Sequence, residues 1–111
     1  MEIPFTVIDW SSIPKNENQG EAGKSIQQTI HFQDLKVRIV EYSPGYKANH
    51  WCQKGHVVYC LEGSFESHLE SGEKFHITKG MMYVVSDQMS SHRSSTLEGA
   101  KLLIIDGGFL K

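Results

Sequence analysis

Hydrophobic and polar residues alternate with a period of two along most of the chain after residue 25. Successive side chains of a β-strand point to opposite faces, so this alternation predicts strands that bury one face. The pattern marks strands over residues 26–32, 37–42, 57–61, 64–70, 74–79, 82–86 and 102–106. Turn-forming residues separate them, as at Ser43-Pro44-Gly45 and Ser71-Gly72. No window of a dozen residues has the 3.6-residue period of an amphipathic helix.

Short strands at regular spacing within 111 residues predict a single all-β domain, built as a sandwich or a closed barrel. We assign residues 1–25 to an N-terminal strand and loop, and residues 26–107, approximately, to the barrel. Residues 11–24 are polar and contain one proline and two glycines, which predicts a long, mobile surface loop.

Composition excludes several classes of protein. Lys and Arg number 11 against 13 Asp and Glu, for a net charge of −2, which argues against nucleic acid or an anionic membrane as a partner. The longest apolar stretches, such as residues 57–61, are far shorter than the roughly 20 residues of a membrane helix. The first residues show no apolar signal run, so a cytoplasmic location is expected. Two cysteines are too few for a disulfide framework.

Potential metal ligands cluster in the middle of the chain. His50 and Cys52 are two residues apart, so on a strand they share a face about 6.5 Å apart. A short bend follows, and His56 then begins the next strand beside them. Imidazole and thiolate groups bind Fe, Zn, Cu and Ni well. A further ligand, His92, has to come from a distant strand.

The remaining histidines and the second cysteine have simpler interpretations. His31, His68 and His76 alternate with apolar neighbours in predicted strands, which favours surface or hydrogen-bonded side chains. Cys60 lies about 13 Å from His56 along an extended strand, so it is expected to be a small buried residue.

The spacing of these residues resembles the first motif of the cupin superfamily, Gly-x5-His-x-His-x3,4-Glu-x6-Gly. From His50 onward the spacing matches without a gap, and the motif ends at Gly63. Cys52 stands in place of the second histidine and His56 in place of the glutamate. The leading glycine, Gly45, is one residue closer to His50 than in the motif.

A second cupin motif is weaker. Gly80 begins it, and one extra residue places its histidine at His92, with Thr96 where the motif has asparagine. The segment Asn49-His50-Trp51-Cys52 also resembles a small group, the DHCW-motif cupin-fold proteins.

The resemblance implies a cupin (RmlC-like) fold, a double-stranded β-helix or jelly-roll barrel, that holds one divalent transition metal such as Fe, Zn, Ni or Mn. The implied ligands are His50, His56 and His92. Cys52 is either a further ligand or an uncoordinated thiol able to touch substrate. Cupins commonly pair through sheet faces, so the resemblance also implies a homodimer.

Further side chains near these ligands are candidates for lining a pocket. Tyr42 and Tyr46 flank the turn at residues 44–45, Tyr83 lies on the strand leading to the site, and Ser94 shares the strand parity of His92. Arg93 could pair with a substrate carboxylate, although its strand parity favours an outward position.

Two functions remain open at this stage. The first is a metal-dependent enzyme acting on a small molecule, of the oxygenase or isomerase type. The alternative is a non-catalytic cupin that binds or senses a metal or a small molecule. One barrel hosts many activities, so the fold does not choose between them.

Overall fold

The computed structural model describes residues 2–111, which form eight β-strands and two short 3₁₀ helices. The 3₁₀ helices span Trp10–Ser12 and Gly108–Leu110, and no α-helix occurs within residues 2–111. The predicted all-β fold is therefore confirmed. The strands are β1 (Asn16–Gln19), β2 (Lys24–Phe32), β3 (Leu35–Tyr42), β4 (His56–Leu69), β5 (Lys74–Thr78), β6 (Met82–Val85), β7 (His92–Ser95) and β8 (Ala100–Asp106).

All strand pairs are antiparallel, and the long strand β4 belongs to both sheets. One sheet has the order β1-β2-β3-β8-β4, with β6 on the other side of the first half of β4. The second half of β4 pairs with β5 and β7 to form the opposing sheet. The two sheets thus enclose an interior to which β4 contributes at both ends.

Strand β4 changes sheets at a glycine. The pairing with β8 shifts register between Cys60 and Glu62, and Gly63 follows with a φ of 74°. A Cβ atom there would lie 2.2 Å from the carbonyl oxygen of Gly99. Only glycine fits this backbone conformation and this close approach, so the bulge and Gly63 together let one strand continue into the second sheet.

Alternating side chains of the strands fill the interior. In β8 every second residue is buried, starting at Ala100 and ending at Asp106. The core comprises Val40, Val58, Cys60, Phe65, Ile77, Ala100, Leu102 and Ile104, with Tyr42 and Tyr83 packed against it. Cys60 is fully buried, as the sequence predicts.

The sequence-based strand assignment was wrong in two places. The predicted strands over residues 57–61 and 64–70 are one continuous strand, β4. The predicted loop over residues 11–24 contains β1, which pairs with β2 at the sheet edge. Every residue of β1 is exposed, so its sequence carries no hydrophobic alternation. The side-chain amide of Gln28 also donates hydrogen bonds to the carbonyls of Trp10 and Ile13, which fixes the start of this segment.

No helix among residues 2–111 has the length and hydrophobicity to cross a membrane.

Candidate metal centre

Cys52, His56 and His92 come together at one end of the interior. Each offers a ligand atom, and these atoms all lie within 4.8 Å of one another. Backbone hydrogen bonds in both directions hold Cys52 beside His92, at 2.8 and 3.0 Å. His56 is the first residue of β4 and His92 the first residue of β7, so strand ends fix two of the three ligands.

The separation of two of the three donor atoms fits a shared metal ion. Cys52 Sγ and His56 Nε2 are 3.4 Å apart. A tetrahedral zinc ion, with bonds of about 2.3 Å to sulfur and 2.0 Å to nitrogen, places such a pair about 3.5 Å apart. The thiol and the imidazole therefore lie at the spacing that a shared ion requires.

Asp106 positions the ring of His56. Its Oδ1 accepts a hydrogen bond from His56 Nδ1 at 2.5 Å, and its Oδ2 lies 3.2 Å from Nη2 of Arg38. Because Nδ1 carries a proton, Nε2 is the nitrogen that faces Cys52, where it shares the thiol proton with Sγ in the metal-free chain. Loss of that proton would leave an imidazole lone pair and a thiolate that can both bind an ion. Histidine ligands of metals characteristically donate their other N–H to a carboxylate in this way.

The same contacts shift the pKa values of this pair. Burial disfavours the charged His56 ring, but its contacts with Asp106 and Cys52 outweigh burial and raise the pKa of the imidazole. Burial likewise disfavours the Asp106 carboxylate, but the hydrogen bond from His56 and the charges of His56 and Arg38 lower its pKa. Asp106 thus remains an anion that accepts from both partners.

His92 presents a buried nitrogen with no partner. Its Nδ1 donates to the carbonyl oxygen of Ser90 at 3.0 Å, which leaves the lone pair on Nε2. That Nε2 is buried beside the Cys52 sulfur but makes no hydrogen bond of regular geometry within residues 2–111. Buried polar atoms are almost always satisfied, so an unpaired imidazole lone pair beside a thiol indicates a missing ligand.

The Cys52 thiol is strongly acidified. Its hydrogen bond with His56, and next the imidazole of His92, lower the pKa of the thiol to about 5. Cys52 is a thiolate at neutral pH, and the thiolate is the form that binds metals. Burial instead raises the pKa of Cys60 and leaves that thiol inert.

These pKa shifts predict a difference in reactivity between the two thiols. In metal-free protein, iodoacetamide should alkylate Cys52 with a rate that reaches half of its maximum at a pH of about 5, and it should leave Cys60 unmodified. Peptide mass spectrometry across pH 4–9 measures both rates, and an unfolded sample should show a midpoint of about 8.5 at both cysteines. A midpoint near 8.5 for Cys52 in the folded protein would contradict this assignment.

The structure does not bring His50 into this group. Its side chain is exposed, and its Nδ1 lies 2.7 Å from Oδ1 of Asn49. The sequence argument assumed a strand through residues 50–52, in which His50 and Cys52 share a face. Residues 49–50 form a bend instead, so the two-residue spacing does not place both side chains on one side.

The predicted pocket residues lie in different surroundings. Tyr83 lies edge-on to the His92 ring, at 6.0 Å between centroids. Tyr42 stacks on Tyr46 at 4.3 Å, and burial raises the pKa of Tyr42 to about 12. Ser94 is buried, as its parity with His92 suggests. The guanidinium of Arg93 instead lies over the half-exposed ring of Trp51, 4.7 Å from its centroid.

Two cavities reach the cluster. An apolar cavity of about 250 Å³ has His92 in its wall, with Tyr83, Leu69, Phe75 and Ile77 around it. A polar cavity of about 400 Å³ has Cys52 and His56 in its wall, with Lys36, Arg38 and Asp106 beside them. The three candidate ligands therefore lie between the two cavities, and a small molecule can approach them from either cavity.

Asp106 and Arg38 are functional candidates that the sequence analysis did not single out. The sequence does indicate both residues, because each lies on the same face of its strand as buried apolar residues. Asp106 follows Leu102 and Ile104 in β8, and Arg38 precedes Val40 in β3. A charged residue at an interior position of a strand requires a partner, and here each is the partner of the other.

No protein-family model matches the sequence, and no curated protein matches it significantly. Solved structures match its fold over most of its length. A predicted oxalate decarboxylase from Thermotoga maritima aligns with a TM-score of 0.77 at 14% identity, covering 92% of this chain and 99% of that chain. An ectoine synthase from P. lautus aligns with a TM-score of 0.75 at 18% identity, over 91% and 76% of the two chains. An RmlC-like cupin from Shewanella frigidimarina aligns with a TM-score of 0.74 at 17% identity, over 96% and 94%.

Proposed function

Starting from a chain with the cupin fold, we propose that Cys52, His56 and His92 bind one divalent transition metal and that this ion acts on a small molecule. The observation that carries the proposal is the buried Nε2 of His92, which has no partner among the described residues and belongs to a group of three donor atoms within 4.8 Å. Asp106 and Ser90 accept hydrogen bonds from the Nδ1 atoms of His56 and His92, so Nε2 is the atom of each ring that would bind an ion, once His56 releases the proton that it shares with Cys52.

The donor set favours particular ions and leaves room for a substrate. One thiolate and two imidazoles suit Zn²⁺ or Fe²⁺ better than Mn²⁺, which prefers oxygen ligands. Three protein ligands leave at least one coordination position open, which is the arrangement of catalytic rather than structural metal sites. A bound ion supplies Lewis acidity or activates dioxygen.

The protein's own residues would prepare that site. Asp106 holds His56 in the tautomer that coordinates, and Ser90 does the same for His92. The wall formed by Tyr83 and its neighbours excludes water on the apolar side, while the polar cavity admits a substrate. The structural neighbours named as an ectoine synthase and a predicted oxalate decarboxylase support an enzymatic role on a small molecule over a purely binding one.

The metal content of purified protein tests this proposal. Inductively coupled plasma mass spectrometry should find about one ion per chain in the wild type. Cys52→Ala, His56→Ala and His92→Ala should each retain less than about a tenth of that content, because loss of one of three ligands removes much of the binding energy. Circular dichroism on each sample confirms that the variant is folded.

His50→Ala is the matched control, since His50 is two residues from Cys52 but lies outside the group. It should keep the metal content of the wild type. Folded ligand variants that keep as much metal as the wild type would overturn the proposal. Full occupancy without turnover of any small thiol, diketone or phenol would favour the binding and sensing alternative.

One observation favours a second candidate function. Cys52, His56 and Asp106 form a line of thiol, imidazole and carboxylate, with contacts of 3.4 and 2.5 Å. This is the order of nucleophile, base and orienting acid in thiol hydrolases. A chelator separates the two functions, because it should abolish a metal-dependent reaction and enhance one that uses a free thiolate.

A further inference from the structure

We infer that the substrate of this centre carries a carboxylate or similar oxyanion, held in the polar cavity by Arg38 and Lys36. The inference rests on the proposed metal function and adds the class of molecule to it. The cavity of about 400 Å³ has the metal-ligand candidates Cys52 and His56 in its wall, so a molecule bound there reaches the ion.

Both cations come from the interior face of β3. Lys36 and Arg38 are two residues apart and precede the buried Val40 on the same face. In the pairing of β3 with β8, Lys36 lies directly opposite Asp106. The strand register therefore fixes both cations next to the carboxylate that holds His56.

Arg38 has N–H donors that no hydrogen bond within the described residues uses. Its side chain is only 15% exposed, and its Nη2 lies 3.2 Å from Asp106 Oδ2. Its Nε is buried with no hydrogen-bond partner within residues 2–111. A guanidinium group presents several N–H donors in a planar fork that matches a carboxylate, so an unused buried donor here suits an oxyanion.

The acidic residues of the cavity are already engaged. Asp106 is bound by His56 and Arg38. Asp87 accepts the backbone N–H of Gly55 at 2.6 Å, and Asp34 accepts that of Gly108 at 2.9 Å. Lys36, in contrast, forms no ion pair within the part of the chain that the structure describes. A cation beyond ion-pair distance of these carboxylates, in a cavity whose acidic side chains already accept hydrogen bonds, favours an anionic ligand.

The neighbouring cavity does not share this chemistry. Its wall around His92 consists mainly of Leu69, Phe75, Ile77 and Tyr83, with no lysine, arginine, aspartate or glutamate side chain. The anionic group of a substrate is therefore expected on the Arg38 side, and an apolar portion is accommodated on the other.

A matched pair of small probes tests the inference on the Co²⁺-loaded protein. L-lactate and lactamide have the same shape, and both offer a hydroxyl to the ion, but only lactate is anionic. Visible absorption of the bound Co²⁺ measures the affinity of each. We expect lactate to bind at least about tenfold more tightly than lactamide, the ratio that corresponds to one charge-assisted hydrogen bond.

Variants identify the groups responsible. Lys36→Gln should weaken lactate binding by about fivefold or more while leaving lactamide binding unchanged, and Arg38→Lys should lower the ratio of lactate to lactamide affinity by a similar factor. Lys79→Gln removes the same charge from an exposed turn outside the cavity and should change neither. Co²⁺ content is measured on every sample.

The outcomes separate this inference from the function beneath it. If the wild type fails to bind Co²⁺, both the metal function and this inference are wrong. If Co²⁺ binds but lactate shows no binding, or no preference over lactamide, only the anionic substrate is wrong. Equal lactate affinities in Lys36→Gln and Lys79→Gln would also overturn the role of the cavity cations.

Discussion

Replacing Asp106 with alanine is expected to weaken metal binding by about 10- to 100-fold, the usual effect of removing the carboxylate behind a histidine ligand. The ring of His56 then loses the acceptor that fixes its tautomer and direction. The same change leaves Arg38 buried without its only carboxylate partner among the described residues. Breaking a buried ion pair from one side costs about 3–5 kcal/mol of stability.

Competition with a chromophoric chelator for Zn²⁺ measures the affinity, and urea denaturation measures the stability. Glu41→Ala is the control, because Glu41 is an exposed acid on the same strand as Arg38 and lies 4.0 Å from Lys101. It should cost less than about 1 kcal/mol and leave metal affinity unchanged. An Asp106→Ala protein with wild-type metal affinity would show that Asp106 does not position His56.

Truncation of Phe65 to alanine should lower the free energy of unfolding by about 3–5 kcal/mol. The ring is 1% exposed and lies in the second half of β4, with centroids 6.3 Å from Tyr42 and 6.4 Å from Tyr83. Its removal opens a cavity between the two sheets. Tyr42 and Tyr83 then each lose a packing partner, and Tyr83 is the ring that lies against His92.

Phe75→Ala tests the same side-chain change at the surface. Phe75 is directly opposite Ser67 on the neighbouring strand, but half of it is exposed. Its truncation should cost less than half as much as that of Phe65, since little apolar surface is lost from the interior. Urea midpoints for both variants give the comparison, and equal losses would contradict the position of Phe65 at the centre of the core.

The strands that could be predicted include β2, β3 and β8, in which apolar residues recur along the strand. In β2 and β3 the alternating apolar residues, such as Ile30 and Val37, lie on the face opposite the buried Val40, so the period-two pattern identified the strands but not the face that forms the core. Strand β1 (Asn16–Gln19) is exposed throughout, and β7 (His92–Ser95) buries only polar side chains, so neither shows hydrophobic alternation. Their pairing depends on backbone hydrogen bonds to β2 and β4, which a period-two pattern does not encode.

The sequence alone also could not show that β4 is one continuous strand. A glycine between two apolar runs is typical of a turn. Gly63 does have a left-handed backbone, but it lies beside a β-bulge and redirects the strand without ending it. The distinction depends on the approach of the Gly99 carbonyl, a contact between residues far apart in the chain.

The sequence predicted part of the candidate metal centre, because two of its residues lie in regular strands. His56 and His92 begin strands, so the regular structure that follows each of them limits where it can point. His50 lies in a bend, where neighbouring residues have no fixed parity, and its ring forms a local contact with Asn49. Asp106 and Arg38 were missed because only metal-binding residue types were considered, and not charged residues at interior positions of strands.

The implied homodimer remains a prediction.

The most direct test of the central claim is an anomalous difference map from a crystal of the zinc-loaded protein, recorded on both sides of the zinc absorption edge. The account predicts one peak, with Sγ of Cys52 at about 2.3 Å and the Nε2 atoms of His56 and His92 at about 2.0–2.1 Å. A peak coordinated by His50, or zinc bound only at surface carboxylates while these three side chains stay unliganded, would contradict it.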